Sequence, residues 1–297
     1  MPEPETELLV AGSIALDTID GPEGRVQDEL GGSALYFALA ASLIMPVRVV
    51  APVGAEDAAR VFALAGSRPI DLRSMTIVDA PTYRWRAQQV AGRNIDLGSR
   101  DSIYDLWDPA VPEQYSGWAF VGSVRPDRQV ELVHRLAGAG LLAADSMISY
   151  IHARTDDAFE VVRVAEWYFC NHEEFGALDG DDPEEFRRKW ALRGLVIKSG
   201  PGGVDAYTEG RSIHVPALPE HRVVDTTGAG DAVAGGMLAR WLSTGGAAGG
   251  YAEALAWGVA CASLTIEDVG LRAIAAATRG QLERRVAEVE ESQRRAS

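Results

Sequence analysis

This sequence lacks the features that anchor a chain in a membrane or stabilise a secreted fold. It has two cysteines in 297 residues, Cys170 and Cys261. They are too few and too far apart for a disulfide scaffold, so we expect two buried thiols in a cytoplasmic protein. No uninterrupted apolar stretch reaches the roughly 20 residues that cross a bilayer. The N-terminus also lacks a basic region followed by an apolar run, so we expect neither a leader peptide nor a membrane partner.

Positive charge is scarce as well. The 43 acidic residues outnumber the 28 basic ones, the net charge is −15, and lysine occurs only as Lys189 and Lys198. This balance argues against nucleic acid as a partner, although an ATP site needs only a local positive patch. Clusters of histidine and cysteine and the HExxH pattern are also missing, so the sequence predicts no zinc site.

Short apolar runs alternate along the chain with segments of helical periodicity. This alternation is typical of one α/β domain whose parallel sheet is covered by helices on both faces. The charged segment from Gln281 to Arg295 predicts a solvated terminal helix. The predicted strands are Leu8–Ala11, Val47–Val50, Trp118–Val121, Leu141–Ala144 and Leu195–Ile197, and the predicted helices include Leu35–Leu43, Ala55–Ala65, Asp127–Ala137 and Pro183–Leu192.

The most informative segment runs from Asp225 to Asp231, reads DTTGAGD, and leads into an apolar helix pattern. Gly228 and Gly230 let the backbone turn tightly, and unpaired N–H groups at a helix start bind anions. An acidic Asp231 at such a place indicates that its carboxylate takes a proton from a hydroxyl while the N–H groups stabilise a phosphoryl group in transfer. We expect the helix start to lower the pKa of Asp231. The alternative is a glycine-rich turn with an acidic helix cap.

Two common phosphate-binding motifs are excluded by single residues. A Walker A loop needs Gly-Lys-Ser/Thr, but Ile197 precedes Lys198. A dinucleotide fingerprint needs a third glycine where Val233 stands.

The DTTGAGD segment, together with Gly31-Gly32-Ser33-Ala34 at the start of a small-residue helix, resembles the signatures of the ribokinase-like, or PfkB, family of sugar and nucleoside kinases. The resemblance covers nearly the whole chain. It implies a three-layer α/β/α sandwich with a mainly parallel central sheet and a small β-sheet lid. It also implies an ATP-dependent phosphotransferase that moves the γ-phosphoryl group to a hydroxymethyl group of a sugar or sugar-like molecule, with Mg²⁺ brought by the nucleotide.

The resemblance assigns the phosphoryl-transfer step to the DTTGAGD loop. Asp231 would be the catalytic base, and the backbone of Gly228, Ala229 and Gly230 would form the anion hole. Thr227 would contact a phosphate. These roles come from the family pattern at matching positions.

Five further residues would bind the nucleotide in this resemblance. Asn171 and Glu174 match an Asn-x-x-Glu motif whose glutamate approaches Mg²⁺ through water, and the same spacing is a helix capping box. Lys198, Gly200 and Gly203 match a strand-end segment that passes the nucleotide phosphates. Lys198 stands where the family more often has threonine, and the alternative for this segment is a plain Pro-Gly turn.

The acceptor would be held by Asp17, Gly31 and Gly32, since one carboxylate can accept two hydroxyl hydrogen bonds. A turn aspartate is the alternative for Asp17. Tyr36 stands where sugar kinases of this family commonly have asparagine, which puts ribose itself in doubt. A nucleoside kinase, with Tyr36 or Trp85 stacking on a base, remains an alternative. A catalytically silent ligand-binding relative is a second alternative, against which the intact base argues.

Two polar, strand-like segments, about 15–31 and 80–97, would form the lid inserted into the single domain 1–297. In the resembled family this lid covers the sugar site and often mediates a homodimer. The alternative is two surface hairpins. We favour the lid because exposed Tyr83 and Trp85 would need a partner surface.

Overall fold

The structure is a computed structural model that describes residues 7–21, 24–66, 68–90, 93–218 and 221–296. Its strands are β1 (Leu8–Ala11), β2 (Ala15–Gly21), β3 (Gly24–Gly31), β4 (Val47–Gly54), β5 (Ile70–Asp71), β6 (Met75–Val78), β7 (Tyr83–Val90), β8 (Arg93–Arg100), β9 (Trp118–Val121), β10 (Leu141–Asp145), β11 (Trp167–Asn171), β12 (Gly194–Lys198), β13 (Val204–Thr208) and β14 (Arg211–Val215). Its α-helices are α1 (Ser33–Ser42), α2 (Ala58–Ala65), α3 (Pro126–Arg135), α4 (Ile148–Ala153), α5 (Thr155–Val164), α6 (His172–Ala177), α7 (Pro183–Lys189), α8 (Ala229–Ser243), α9 (Tyr251–Thr265), α10 (Arg272–Ala276) and α11 (Arg279–Ala296).

Ten of these strands form one sheet in the order β14-β13-β12-β11-β10-β9-β1-β4-β5, and β6 pairs with the end of β4. The neighbours from β12 to β5 are parallel, whereas β13 and β14 are antiparallel. The parallel strands are short apolar runs buried on both faces, as such a sheet requires. Every strand predicted from the sequence is present, although β4 continues to Gly54. The predicted mainly parallel sheet is confirmed.

Helices cover both faces of this sheet. On one face, Phe37 of α1 stacks on Phe120 of β9 with ring centroids 4.7 Å apart, and α8 and α9 bury apolar residues in the same cluster. On the other face, Leu132 of α3, Val161 of α5 and Phe186 of α7 belong to a second buried cluster. The predicted three-layer arrangement is confirmed.

The terminal helix departs from its prediction. The helix α11 is charged, but Leu282, Val286 and Val289 are buried at the spacing of one helix face. It is therefore an amphipathic helix packed on the domain rather than a fully solvated one. The other four predicted helices shift at one or both ends by up to three residues, and the largest shifts are the start of α2 at Ala58 and the end of α7 at Lys189.

The two lid segments form a separate sheet in the order β3-β2-β7-β8. The inner strands β2 and β7 are parallel, and each pairs antiparallel with one outer strand. The small sheet that the sequence predicts is therefore present, with β8 extending to Arg100. Its first strand starts at Ala15, just after β1, so the lid is joined directly to the central sheet.

The prediction that Tyr83 is exposed is wrong. Its ring packs on Tyr104 with centroids 5.6 Å apart, its hydroxyl lies 3.2 Å from that of Tyr150, and its side chain is buried. Trp85 is half-buried, and its indole N–H donates to Asp96 Oδ1 at 3.2 Å. The large apolar side chains that the lid exposes are Val90, Ile95 and Leu97.

Cys170 and Cys261 are free and buried, as predicted. Burial raises the pKa of both thiols, so neither is a reactive thiolate near neutral pH. In the described ranges, every helix is either too short or too polar to span a bilayer.

Candidate active site

The DTTGAGD loop meets α8 at Gly228, the residue before the first helical turn. Gly228 has a φ of +71°, in the left-handed region that favours glycine. A Cβ atom at this position would lie 2.1 Å from Cγ of Tyr36, because the Tyr36 ring of α1 packs against the loop. Only glycine satisfies both constraints, and the contact holds the loop between α1 and α8.

Backbone N–H groups of this loop are available to an anion. The N–H groups of Gly228 and Gly230 have no acceptor in the part of the chain that the structure describes, whereas that of Ala229 donates to Thr226 O at 3.3 Å. The positive end of the α8 dipole lies at the same place. Of the three predicted anion-hole residues, Gly228 and Gly230 therefore carry the unpaired donors.

Lys198 brings a positive charge to the first turn of α8. A Cβ on Gly230 would lie 2.8 Å from Lys198 Nζ, and the same Nζ is 3.9 Å from Asp145 Oδ2. Lys198 ends β12 and Asp145 ends β10, so both lie at the carboxyl edge of the parallel sheet, where α/β folds bind ligands.

The charged groups in this cluster shift one another's pKa values. Burial disfavours the Lys198 ammonium, but Asp145, Glu174 and Asp231 outweigh it and hold the pKa of Lys198 above its usual range. Removal from water raises the pKa of Asp231 to about 6, Lys198 opposes the shift, and Glu174 adds to it. The predicted lowering of the Asp231 pKa is therefore wrong. A helix start contributes only about 0.3–1 kcal/mol, whereas burial can shift a pKa by several units.

Sequence reasoning missed Asp145. Burial holds its pKa well above the usual range, with Lys198 opposing, and its Oδ1 atom is buried with no hydrogen-bond partner in the part of the chain that the structure describes. A signal was available, because this acid directly follows the predicted strand Leu141–Ala144 at the ligand-binding edge of an α/β sheet.

Asn171 and Glu174 form the capping box that their spacing predicts. Glu174 N donates to Asn171 Oδ1 at 2.9 Å, and Asn171 N donates to Glu174 Oε2 at 2.8 Å. Burial raises the pKa of Glu174, and Lys198 opposes that shift. The strand register aligns Asn171 with Lys198, so the cap lies beside the cluster. The capping box uses Oε2 of Glu174 and leaves its other carboxylate oxygen, Oε1, outside the cap.

The segment after Lys198 forms a compact loop. Gly200–Gly202 make one 3₁₀ turn, and Ser199 N donates to Gly203 O at 2.8 Å. The Ser199 hydroxyl lies 2.9 Å from His172 Nε2. Gly200 and Gly203 therefore lie in a loop that contacts α6 next to Asn171, and their place beside the nucleotide phosphates stays a prediction.

Asp17 lies on β2 and is buried. A Cβ on Gly31 would sit 1.9 Å from Asp17 Oδ2, so glycine is required where the carboxylate rests on the neighbouring strand. Gly32 follows with a φ of +97° and precedes α1. Burial raises the pKa of Asp17 to about 8, and Asp225 and Asp231 add to the shift. The predicted acceptor residues thus lie within electrostatic reach of the predicted base.

The two aromatic candidates for base stacking differ. Tyr36 is 1% exposed with its ring against Gly228, so the expectation that it could stack on a base is wrong. Trp85 is half-buried and is paired with Asp17 in the β2–β7 register. Paired residues of neighbouring strands share one face of a sheet, so Trp85 lies beside the Asp17 carboxyl.

Thr227 is tied within its own loop and to the lid. Its N–H and hydroxyl donate to Asp225 Oδ1 at 2.9 and 2.6 Å, and Asp225 Oδ2 accepts from Gly270 N at 3.0 Å. Asn94 of β8 donates to Thr227 Oγ1 at 2.6 Å. Sequence reasoning missed Asn94, and no local pattern marks it, because the contact joins positions 133 residues apart.

The oxygen donors at the site fit a magnesium ion that arrives with the nucleotide. Asp145 Oδ1 is buried without a partner in the described ranges, and the cap leaves Glu174 Oε1 available. Among the described residues, no group of three or more His, Cys, Asp or Glu side chains is arranged to hold a metal. Mg²⁺ commonly keeps several waters and binds through one or two carboxylates plus substrate phosphates, which matches this donor set.

A carboxylate beside a helix start with unpaired N–H groups, together with a cation at the sheet edge, is an arrangement suited to phosphoryl transfer. Residues 17–278 match the model of the pfkB family carbohydrate kinases. The chain therefore belongs to this family and is an ATP-dependent kinase whose acceptor is a sugar or sugar-like molecule. The family membership predicted from the DTTGAGD segment and from Gly31-Gly32-Ser33-Ala34 is confirmed.

Two curated relatives have different names. The chain is 28% identical over 249 residues to the cytidine kinase of Thermococcus kodakarensis, covering 78% of this chain and 87% of that protein. It is 28% identical over 253 residues to the ATP-dependent ribose-1-phosphate kinase of Halopiger xanaduensis, covering 82% of each. Both alignments span most of the two proteins.

Solved structures confirm the fold. The nucleoside kinase of Burkholderia thailandensis in complex with inosine has a TM-score of 0.79 at 21% identity, covering 95% of this chain and 98% of that one. The nucleoside kinase of Methanocaldococcus jannaschii, titled a member of the ribokinase family, has a TM-score of 0.78 at 18% identity, covering 96% and 99%. The predicted ribokinase-like fold is confirmed.

Proposed function

We propose that this kinase transfers the γ-phosphoryl group of ATP to the hydroxymethyl group of a nucleoside. The observation that carries the proposal is the convergence of Asp17, Asp231 and the unpaired N–H groups of Gly228 and Gly230 in one site. An acceptor held by the first carboxylate presents its hydroxyl to the second, beside an anion-binding helix start.

The chemistry follows from this arrangement. The acceptor oxygen forms a bond to the γ-phosphorus as the bond from that phosphorus to the β,γ-bridging oxygen breaks, and ADP leaves. Asp231 accepts the hydroxyl proton late in this loose transition state. The N–H groups of Gly228 and Gly230 stabilise the charge on the phosphoryl oxygens. Ala229 lies between them at the start of α8 and helps to hold that backbone in place.

The nucleotide would bind at the carboxyl edge of the central sheet. Lys198 would bind a phosphate oxygen, because its ammonium lies against Gly230 and its pKa is held above the usual range. Gly200 and Gly203 would let the chain pass close to the phosphates, and Asn171 with Glu174 would hold water molecules of Mg²⁺. Bound Mg²⁺ would offset phosphate charge. Thr227 would act by shaping the loop.

The residues proposed to hold the acceptor favour a nucleoside as the substrate. Asp17, resting on Gly31 and followed by Gly32, would accept hydrogen bonds from the two ribose hydroxyls. Trp85 lies on the same lid face and offers an aromatic surface to a planar base. Its indole N–H bond to Asp96 fixes the ring orientation. The named activities of the cytidine kinase and of the two nucleoside kinases support this choice.

A sugar phosphate is the second candidate, favoured by the name of the ribose-1-phosphate kinase. Two of the candidate arginines near the lid argue against it, because they are already paired with carboxylates. Arg84 pairs with Asp28, and Arg125 lies 2.7 Å from both Asp105 and Asp127. A phosphorylated acceptor would have to displace these acids.

The test is ADP release from ATP with magnesium, using cytidine, inosine, ribose, fructose and ribose 1-phosphate as separate acceptors. We expect a nucleoside to give the highest kcat/KM, and Asp231→Asn to abolish the signal. Trp85→Leu should raise the KM for the nucleoside about tenfold or more, because a stacked base is worth about 1–3 kcal/mol, and should leave that for free ribose unchanged. Higher activity on ribose 1-phosphate would favour the second candidate.

We also propose one domain, 1–297, with the lid formed by 15–31 and 80–97 as a homodimer surface. The exposed side chains of Ile95 and Leu97, each about half exposed, lie on the edge strand β8, where unpaired apolar edges favour association. Ile95→Glu should convert a dimer to a monomer in sedimentation analysis, and an unchanged mass would contradict the proposal.

Free thiols at Cys170 and Cys261 suit the reducing cytoplasm.

A further inference from the structure

A chain of hydrogen bonds joins the lid to the catalytic loop. Thr227 donates its hydroxyl proton to Asp225 Oδ1 at 2.6 Å, because an ionised carboxylate can only accept. The lone pairs of the same hydroxyl then accept from Asn94 Nδ2 at 2.6 Å. Asp225 also binds Gly270 N, so its carboxylate cannot turn away without breaking a second bond.

This chain fixes the orientation of the Asn94 amide. Its nitrogen must face Thr227, which leaves its oxygen, Oδ1, directed elsewhere. That oxygen is buried and has no hydrogen-bond partner among the described residues. Asn94 is paired with Gln89 in the β7–β8 register, so both belong to the face of the lid that meets the loop, whereas Ile95 beside it is exposed.

The lid contacts the DTTGAGD loop directly next to the proposed anion site. Thr227 directly precedes Gly228, whose N–H belongs to the proposed anion site and whose Cα packs so close to the Tyr36 ring that an added Cβ would lie 2.1 Å from its Cγ. A motion of β8 that breaks the bond from Asn94 therefore leaves the Thr227 hydroxyl bonded to Asp225 alone. The position of the lid and the geometry of the anion site are linked through one side chain.

We propose that Asn94 is a positioning residue that latches the lid to the DTTGAGD loop, and that its free oxygen accepts a hydrogen bond from a donor group on the bound acceptor. This inference rests on the proposed function only for that acceptor. The latch keeps the loop in its anion-binding shape while the lid is closed, and it limits water access to the γ-phosphate. Transfer to water in place of the acceptor is thereby suppressed.

The first test measures the latch without any acceptor. Amide hydrogen exchange in β8 is followed in the full-length protein and in Asn94→Leu, Thr227→Val and the double variant, which keep side-chain volume and remove the polar groups. We expect exchange in β8 to rise roughly fivefold in each single variant, the effect of one neutral hydrogen bond. The double variant should be no faster than the singles. Gln88→Leu makes a similar change on an exposed position of β7 and should leave exchange unchanged.

The second test measures its effect on the reaction. With MgATP and no acceptor, Asn94→Leu should release phosphate several times faster than the unmodified protein, while the KM for ATP stays the same. With cytidine as the probe, the KM for cytidine should rise and the fraction of ATP lost to water should increase. A purely structural role would lower kcat and thermal stability together without changing that fraction.

Some outcomes would overturn the proposal. Unchanged exchange in Asn94→Leu, or additive effects in the double variant, would show that the two residues are not coupled. If Asn94→Leu does not fold, Asn94→Ser keeps a polar group too short to reach Thr227, and the same readouts apply. Inactivity of the unmodified protein on every nucleoside would contradict the proposed function but leave the exchange result, and so the latch, intact.

Discussion

The ammonium group of Lys198 lies 3.9 Å from the carboxylate of Asp145, although 53 positions separate them in the sequence. Each residue ends a strand of the parallel sheet, and the order β12-β11-β10 places one strand between them. The capping-box strand β11 is that strand, so Glu174 is held between the two ends. The cation of the site is thus positioned by sheet topology, and the surrounding carboxylates keep it protonated.

Replacing Lys198 tests the role of this cation. Lys198→Met keeps the length of the side chain and removes the charge, so we expect kcat/KM for ATP to fall about 10²-fold, the effect of losing one charge-stabilising donor. Lys189, the other lysine, lies at the end of α7 with its ammonium over the Trp190 ring. Lys189→Met is therefore the matched control and should retain full activity. Equal activity in both variants would remove Lys198 from the nucleotide site.

The pH dependence of the reaction tests Asp231 as the base. The carboxylate works only when it is deprotonated, and burial raises its pKa to about 6. The kcat/KM measured with magnesium and ATP should therefore rise tenfold per pH unit below about pH 6 and level off above it. Lys198 opposes the upward shift, so the midpoint in Lys198→Met should move to higher pH. A midpoint near the usual aspartate value of about 4 would contradict the burial argument.

Asp231→Asn tests the same residue without a change of pH. The amide keeps the shape of the side chain but cannot accept the hydroxyl proton, so turnover should fall about 10²- to 10⁴-fold. ATP binding, measured by calorimetry, should persist because Gly228, Gly230 and Lys198 remain. Near-normal turnover in this variant would exclude Asp231 as the base.

The sequence predicts the sheet and the catalytic loop because both are local signals. Apolar runs such as Trp118–Val121 report burial on both faces of a strand, and the run from Asp225 to Asp231 combines tight turns, a helix start and an acid within seven residues. The Asn171–Glu174 capping box is equally local. Each of these predictions depends on neighbours within a few positions.

Other properties of the site depend on contacts that no local pattern contains. The pKa of Asp231 is raised because its carboxyl is buried, with Glu174 adding to the shift and Lys198 opposing it, and this reverses the shift expected from its helix position. Tyr36 is placed under Gly228 by the packing of α1 on α8, so it cannot stack on a base. Asn94 reaches Thr227 only because β8 has a particular register in the lid.

The contact between Gly228 and Tyr36 gives a prediction about stability. Gly228→Ala should reduce the free energy of unfolding by about 2–4 kcal/mol, because the new Cβ meets the Tyr36 ring and the backbone has a positive φ. Gly138→Ala is the control, since a Cβ there has no atom within 4 Å and φ is not positive. Urea unfolding of the two variants measures the difference. Equal stability would show that the loop can move away from Tyr36.

Asp17 couples acceptor binding to stability. Burial raises its pKa to about 8 from an unfolded value near 3.8, so between these values the folded state holds a proton that the unfolded state has released. Its contribution to the free energy of unfolding therefore falls as pH rises from about 4 to 8. Asp17→Asn removes this penalty, so we expect its Tm to exceed that of the unmodified protein by several degrees at pH 8 and by much less at pH 5.

Above about pH 8, where the Asp17 carboxyl is ionised, the same variant should lose affinity for the acceptor, because an amide accepts fewer hydrogen bonds from hydroxyls than a carboxylate does. Asp20→Asn is the control, since Asp20 lies three residues along the same strand, partly exposed and 3.5 Å from Arg25. It should change neither the pH dependence of Tm nor the KM for the acceptor. A Tm difference for Asp17→Asn that stays constant from pH 5 to pH 8 would show that the Asp17 carboxyl titrates alike in both states, and would contradict the burial on which its role depends.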